Sequence, residues 1–105
     1  MVIIETSIFT RQVQQLMRDE EYRELQRELV NYPAMGALIP DGGGLRKLRW
    51  PGQGHGKRGG LRIIYYWAIS QEKILMLFLY AKNVQSDLNE TQLKVLRTMI
   101  KEEYP

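Results

Sequence analysis

Leu61-Arg62-Ile63-Ile64-Tyr65-Tyr66-Trp67-Ala68, a four-residue link, then Lys73-Ile74-Leu75-Met76-Leu77-Phe78-Leu79-Tyr80-Ala81-Lys82 is the stretch whose reading decides the fold. Both runs are dense in β-branched, aromatic and long aliphatic residues, which suit a pleated, half-buried backbone. The Ile69 to Glu72 link is of hairpin length. Centring the hairpin near Gln71 brings Arg62 opposite Tyr80, and the period-two alternation of strands puts Lys82 on the same face. Just upstream, Leu45-Arg46-Lys47-Leu48-Arg49-Trp50 supplies a third run of the same kind, so an antiparallel meander is expected.

Outward from the meander the periodicity changes. Val2 to Thr6 reads as a short opening strand. Thr6 or Ser7 then caps a helix whose apolar positions Ile8, Phe9, Val13, Leu16 and Met17 recur at three and four residues. Asp19-Glu20-Glu21 places acids at a second helix start, and Tyr22, Leu25, Leu29 and Val30 give that helix one apolar face. Asn31-Tyr32-Pro33 ends it, and Pro33 to Gly44, with Pro40-Asp41-Gly42-Gly43-Gly44, reads as a connecting loop. At the other end Asn89-Glu90-Thr91-Gln92 resembles a capping box ahead of Leu93, Leu96, Met99 and Ile100. The expectation is an α+β fold: an antiparallel sheet of one short N-terminal strand plus the three-stranded meander, packed against two N-terminal helices and a C-terminal helix. At 105 residues the chain, 1–105, reads as one domain.

Composition removes several function classes. There is no cysteine and one histidine, so a disulfide framework, a thiol nucleophile and a zinc site of the usual ligands are not expected. No metal or cofactor is expected. The start lacks a basic region and its apolar run is too short for a signal peptide, which points to the cytoplasm. The longest apolar stretch, Ile74 to Ala81, is eight residues, short of the roughly 20 a spanning helix needs, and no membrane role is expected.

Charge is distributed unevenly. Between Gly42 and Gln71 stand six basic residues, Arg46, Lys47, Arg49, Lys57, Arg58 and Arg62, and no acidic one. The remaining nine Lys and Arg face 12 Asp and Glu, so the rest of the chain is at −3 while the whole is at +3. A field segregated in this way attracts polyanions by steering and counterion release. Gly54-His55-Gly56-Lys57-Arg58-Gly59 formally matches a dinucleotide fingerprint, but a strand and not a helix follows it. It also fails as a P-loop, with Pro51 in place of the first glycine and Arg58 in place of Ser or Thr. It reads instead as a long hairpin connection with Lys57 and Arg58 at its tip. His55, between two glycines, lacks the rigid support of a general acid or base and reads as a solvated loop residue. Lys47 and Arg49 share one strand face and Arg46 the other. The lack of acids favours phosphate contact over a merely solvated face. Among the strand aromatics, Tyr80 beside Lys82 at a strand end is a candidate to meet a nucleotide, whereas buried strand aromatics are mostly core.

The order strand, two helices, meander and terminal helix, with basic residues on the strands, resembles the RelE/ParE superfamily of bacterial toxin–antitoxin proteins. Three blocks are similar to its HigB-like branch: Gly44-Leu45-Arg46-Lys47-Leu48-Arg49; Gly56-Lys57-Arg58-Gly59-Gly60-Leu61-Arg62-Ile63-Ile64-Tyr65-Tyr66; and Leu79-Tyr80-Ala81-Lys82-Asn83 with Ser86-Asp87-Leu88. The resemblance runs from about Ile3 to Met99. It implies a toxin that cleaves mRNA on the ribosome, inhibits translation and is held inactive by a cognate antitoxin of the helix-turn-helix, HigA-like kind. Its partners are then that antitoxin, the ribosome and mRNA. The family's basic strand residues map to Lys47 and Arg49, its strand-opening arginine to Arg62, and its glycine-lysine to Ala81-Lys82. Where the archetypal RelE carries arginine after that lysine, this chain has Asn83, a departure that HigB-like relatives share. The archetype's tyrosine a few residues further on is also missing, Leu88 and Asn89 standing there. The carried-over residues together with Tyr80, taken from its place beside Lys82, make the candidate catalytic set Lys47, Arg49, Arg62, Tyr80 and Lys82, with Arg46, Lys57, Arg58 and Asn83 as candidates to contact RNA or ribosome.

Such a set fits metal-free cleavage by the RNA's own 2′-hydroxyl. Guanidinium groups of Arg49 and Arg62, the latter expected to face solvent, would neutralise the phosphorane, and Lys47 or Lys82, made more acidic by cationic neighbours, would exchange the proton. The alternatives are a ParE-like inhibitor of DNA gyrase, which does not need a catalytic basic cluster, and a catalytically inactive nucleic-acid binder.

Overall fold

A computed structural model describes residues 1–51 and 60–104, and the calls on His55, Lys57 and Arg58 lie outside the described residues. Along the chain run β1 (Val2–Glu5), α1 (Ser7–Leu16), α2 (Asp19–Asn31), β2 (Ala37–Leu38), β3 (Leu45–Trp50), β4 (Leu61–Ala68), a 3-10 turn (Ile69–Gln71), β5 (Lys73–Ala81) and α3 (Glu90–Glu103). The strands form one sheet in the order β1-β5-β4-β3-β2.

The helices start where short polar side chains satisfy their orphan N–H groups. Thr6 Oγ1 accepts from Phe9 N–H at 3.0 Å at the head of α1. At α3, Asn89 accepts from Gln92 N–H while the Gln92 side chain accepts from Asn89 N–H, a complete capping box. α2 has no side-chain cap but carries Asp19, Glu20 and Glu21 in its first turn, where the helix dipole favours anions.

The meander forms as the sequence implies, β3–β4–β5 being antiparallel throughout. Two features depart from expectation. The sheet is mixed, because the crossover through α1 and α2 returns the chain on the far side and leaves β1 parallel to β5, with Val2 beside Lys73 and Glu5 beside Met76. The segment from Pro33 to Gly44, expected to be loop, contains β2, whose Ala37 and Leu38 pair with Lys47 and Arg46. Tyr65 fixes this segment: its hydroxyl donates to Pro33 O at 2.7 Å and accepts from Gly36 N–H at 2.8 Å. A Cβ on Gly36 would meet the Tyr65 ring at 2.7 Å, so the close approach requires glycine.

Each face of the sheet has its own core. Phe9 and Val13 of α1, Met17 at its C-cap, and Leu25 and Leu29 of α2 pack on Leu48, Ile63, Tyr65, Ile74, Met76 and Leu79. On the opposite face Leu96 and Ile100 of α3 pack on Leu45, Ile64, Leu75, Leu77 and Tyr80. Ile8 and Val30, apolar by helical spacing, are exposed instead. Both cores are dense enough that truncating a fully buried leucine such as Leu25 or Leu79 should cost about 2–5 kcal/mol.

Candidate functional site

Strand register assembles the basic residues. Arg49 pairs with Arg62, and Arg62 with Tyr80, giving one row across β3, β4 and β5. The row lies one residue from the end of β3, the start of β4 and the end of β5. Alternation assigns its face: Leu45, Ile64 and Tyr66 belong to the α3 side, so Lys47, Arg49 and Arg62 stand on that side too. Arg62 meets Tyr80 only because β5 carries a bulge at Leu77, which shifts the pairing between Ile64 and Tyr65 by one residue.

The four side chains of this group differ in setting. Arg49 is exposed. Lys47 is half-buried, and its Nζ lies 3.3 Å from Asp87 Oδ1. Arg62 was expected to face solvent; it is instead buried, with 6% of its surface exposed and Nη1 donating to Leu61 O at 3.2 Å. The reason is its place in the central strand, with β3 on one side and β5 on the other. Tyr80 is 5% exposed, and its hydroxyl, buried, makes no hydrogen bond among the described residues. Burial pushes this phenol above its ordinary range, Asp87 adds to the shift and Arg62 opposes it. Tyr80 therefore stays protonated near neutral pH and is available as a hydrogen-bond donor. A buried hydroxyl without a partner costs about 1–3 kcal/mol, so Tyr80 contributes less to stability than a phenylalanine in its place would.

Asp87 escaped the sequence reading as a site residue. It sits in the turn between β5 and α3, where strand alternation gives no signal, 40 residues from its partner Lys47. Its surroundings are built. Leu88 N–H donates to Oδ1 at 2.9 Å, and the Gln85 amide donates to Asp87 O at 2.8 Å while also reaching Gln92 Oε1. Partial burial works against the carboxylate's charge, but the Leu88 N–H, Lys47 and Arg62 outweigh it and hold the carboxyl below its usual range. Lys47 thus meets an anion as well as sharing its face with Arg49 and Arg62.

Lys82 and Asn83 are exposed in the turn that follows β5, so the strand alternation stops short of them. Lys82 N–H donates to Gly60 O at 3.1 Å, which keeps the turn beside the start of β4. Arg46 is on the opposite face from Lys47 and Arg49. Its guanidinium donates to Gly36 O at 2.7 Å and Ala34 O at 3.3 Å and so anchors the β2 segment. An apolar recess between Ile8 of α1, Phe78 of β5 and Val95 of α3 contains none of the basic side chains. Among the described residues no group of three or more His, Cys, Asp or Glu is placed to hold a metal ion, and no helix is long and apolar enough to cross a membrane.

What the row can do follows from its parts: two guanidiniums for phosphate oxygens, one ammonium beside them and one protonated phenol. Residues 1–104 match the family described as the RelE toxin of the RelE/RelB toxin–antitoxin system.

Proposed function

Because this chain belongs to the RelE toxin family, we propose that the Arg49–Arg62–Tyr80 row, with Lys47 and Lys82, is where it cleaves mRNA. The chain is the toxin of a type II toxin–antitoxin system, and toxins of this family are ribosome-dependent mRNA endonucleases with a cognate RelB-type antitoxin. The observation that carries the site is the register itself, which sets two guanidiniums beside a buried phenol that has no hydrogen-bond partner among the described residues.

In this scheme the substrate's 2′-hydroxyl gives up its proton to solvent and attacks the adjacent phosphorus, and the P–O5′ bond breaks as the 5′-oxygen takes up a proton, leaving a 2′,3′-cyclic phosphate and a 5′-hydroxyl. Negative charge grows on the non-bridging oxygens, where Arg49 reaches from solvent and Arg62 from the floor of the site. Tyr80, a phenol that is protonated at neutral pH, turns its buried hydroxyl to donate to a phosphate oxygen or to the leaving 5′-oxygen as RNA seats. Lys47 and Lys82 supply further cationic donors at the two ends of the row. A site this sparse gains most from a substrate already held for in-line attack, and the decoding centre of the ribosome provides that orientation.

Within the family the HigB-like branch is the closer fit, supported by Gly44 to Arg49, by Gly56 to Tyr66, and by Asn83 in place of arginine. The antitoxin of such a branch is a HigA-like helix-turn-helix protein. The test is cleavage of an mRNA by the purified chain with and without programmed ribosomes. Cleavage confined to ribosome-bound mRNA, falling about 10²- to 10³-fold in Arg49→Ala, is the expected result. Equal cleavage by Arg49→Ala would move the site elsewhere.

A further inference from the structure

Asp87 stands where the proposed reaction wants only positive charge. A carboxylate against Lys47, within the field of Arg62 and Tyr80, opposes the approach of phosphate. Its place is not an accident of a loose side chain. The turn that presents it is tied to β5 by Val84 and Gln85 N–H groups bonded to Ala81 O. It is tied to α3 by Gln85, which spans the Asp87 carbonyl and the Gln92 side chain of the capping box. Only Oδ1 is engaged by Lys47 and Leu88 N–H, and the Asp87 side chain is 64% exposed, so an incoming anion meets the carboxylate directly.

We propose that Asp87 is a specificity-determining residue that acts as an internal stand-in for phosphate. It occupies Lys47 and raises the threshold for RNA to enter the row, so that free RNA competes poorly with mRNA delivered by the ribosome. The inference rests on the reading of the row as the RNA site. Substrate held in place at high effective concentration displaces the Lys47–Asp87 pair, whereas dilute single-stranded RNA does not. The same carboxylate cost falls on every RNA, but only substrate held at the ribosome's effective concentration overcomes it, which is how Asp87 separates delivered mRNA from free RNA.

The experiment measures binding of a fully 2′-O-methylated single-stranded RNA, which cannot be cleaved by 2′-hydroxyl attack, at several salt concentrations. The proteins are the unaltered chain, Asp87→Asn, Asp87→Glu and Arg49→Ala, each checked for native circular dichroism. Asp87→Asn should bind roughly threefold to tenfold tighter, with the slope of log affinity against log salt steeper by about 0.7, the contribution of one more phosphate contact on a single strand. Asp87→Glu, which keeps the charge, should not tighten binding. If Arg49→Ala weakens binding while Asp87→Asn binds no tighter than the unaltered chain, Asp87 merely positions Lys47 and the inference fails alone. If Arg49→Ala also leaves affinity unchanged, the row is not the RNA site and the inference falls together with the reading beneath it.

Discussion

At the scale of single residues, Tyr80 and Arg62 are where the proposed function can be tested apart from stability. A buried hydroxyl with no partner among the described residues should be better replaced by hydrogen if packing were all that mattered. Tyr80→Phe is therefore expected to hold its urea midpoint or raise it, a change of at most about 1 kcal/mol, while cleavage on the ribosome falls at least roughly tenfold. Unchanged cleavage would show the hydroxyl to be idle. Arg62 needs a different substitution, because it is buried and alanine would leave a void as well as remove a charge. Arg62→Met keeps the unbranched stem and fills that void, but it strips the guanidinium from its buried partners, Leu61 O among them, and should lower the urea midpoint. Cleavage per folded molecule should fall about 10²-fold or more. That Arg62 stands near Tyr80 was legible from hairpin length as an approximate pairing, but its exact partner is set by the bulge at Leu77, and its burial left no local signal. A sequence shows where a strand begins, but whether a side chain there meets solvent depends on the strands either side.

At the scale of elements, the meander and the three helices were readable because each rests on local signals: β-branched runs, three-and-four spacing, Thr6 and Asn89 as caps. β2 was not, since its pairing depends on Tyr65 and Arg46, which lie beyond it in sequence and reach back to Pro33, Ala34 and Gly36. Tyr65→Phe should therefore cost about 1–3 kcal/mol by urea denaturation, because it leaves a buried Gly36 N–H unpaired. The capping box is testable in the same way, and Asn89→Ala is expected to lose about 0.5–2 kcal/mol. The bulge at Leu77 had no signal in the sequence, yet it decides which residue faces Arg62. Without the slip it causes, Leu79 and not Tyr80 would stand opposite, with its side chain on the α1–α2 side of the sheet. The Asp87 turn was hidden for a related reason: its position is fixed by the Gln85 and Gln92 side chains, not by any repeat.

Across the whole molecule charge is concentrated locally and not spread evenly. α2 packs on one side of the sheet and is at net −3, its five acids outnumbering Arg23 and Arg27, whereas Lys47, Arg49 and Arg62 stand on the other side with α3. A body with this asymmetry turns its cationic side toward a polyanion before contact, and its association with ribosomal complexes should slow markedly as ionic strength rises past the roughly 0.15 M at which the Debye length is about 8 Å. The cationic strand face was legible from composition alone. The acidic turn set into that face emerges only from the folded chain. The most direct test of the account is to induce the gene without its antitoxin in growing cells, beside an Arg49→Ala control, and map transcript 5′-ends. New ends inside translated coding sequences, absent from untranslated transcripts and from the Arg49→Ala cells, are the predicted result. Intact transcripts with growth arrest and accumulated gyrase–DNA cleavage complexes would contradict it.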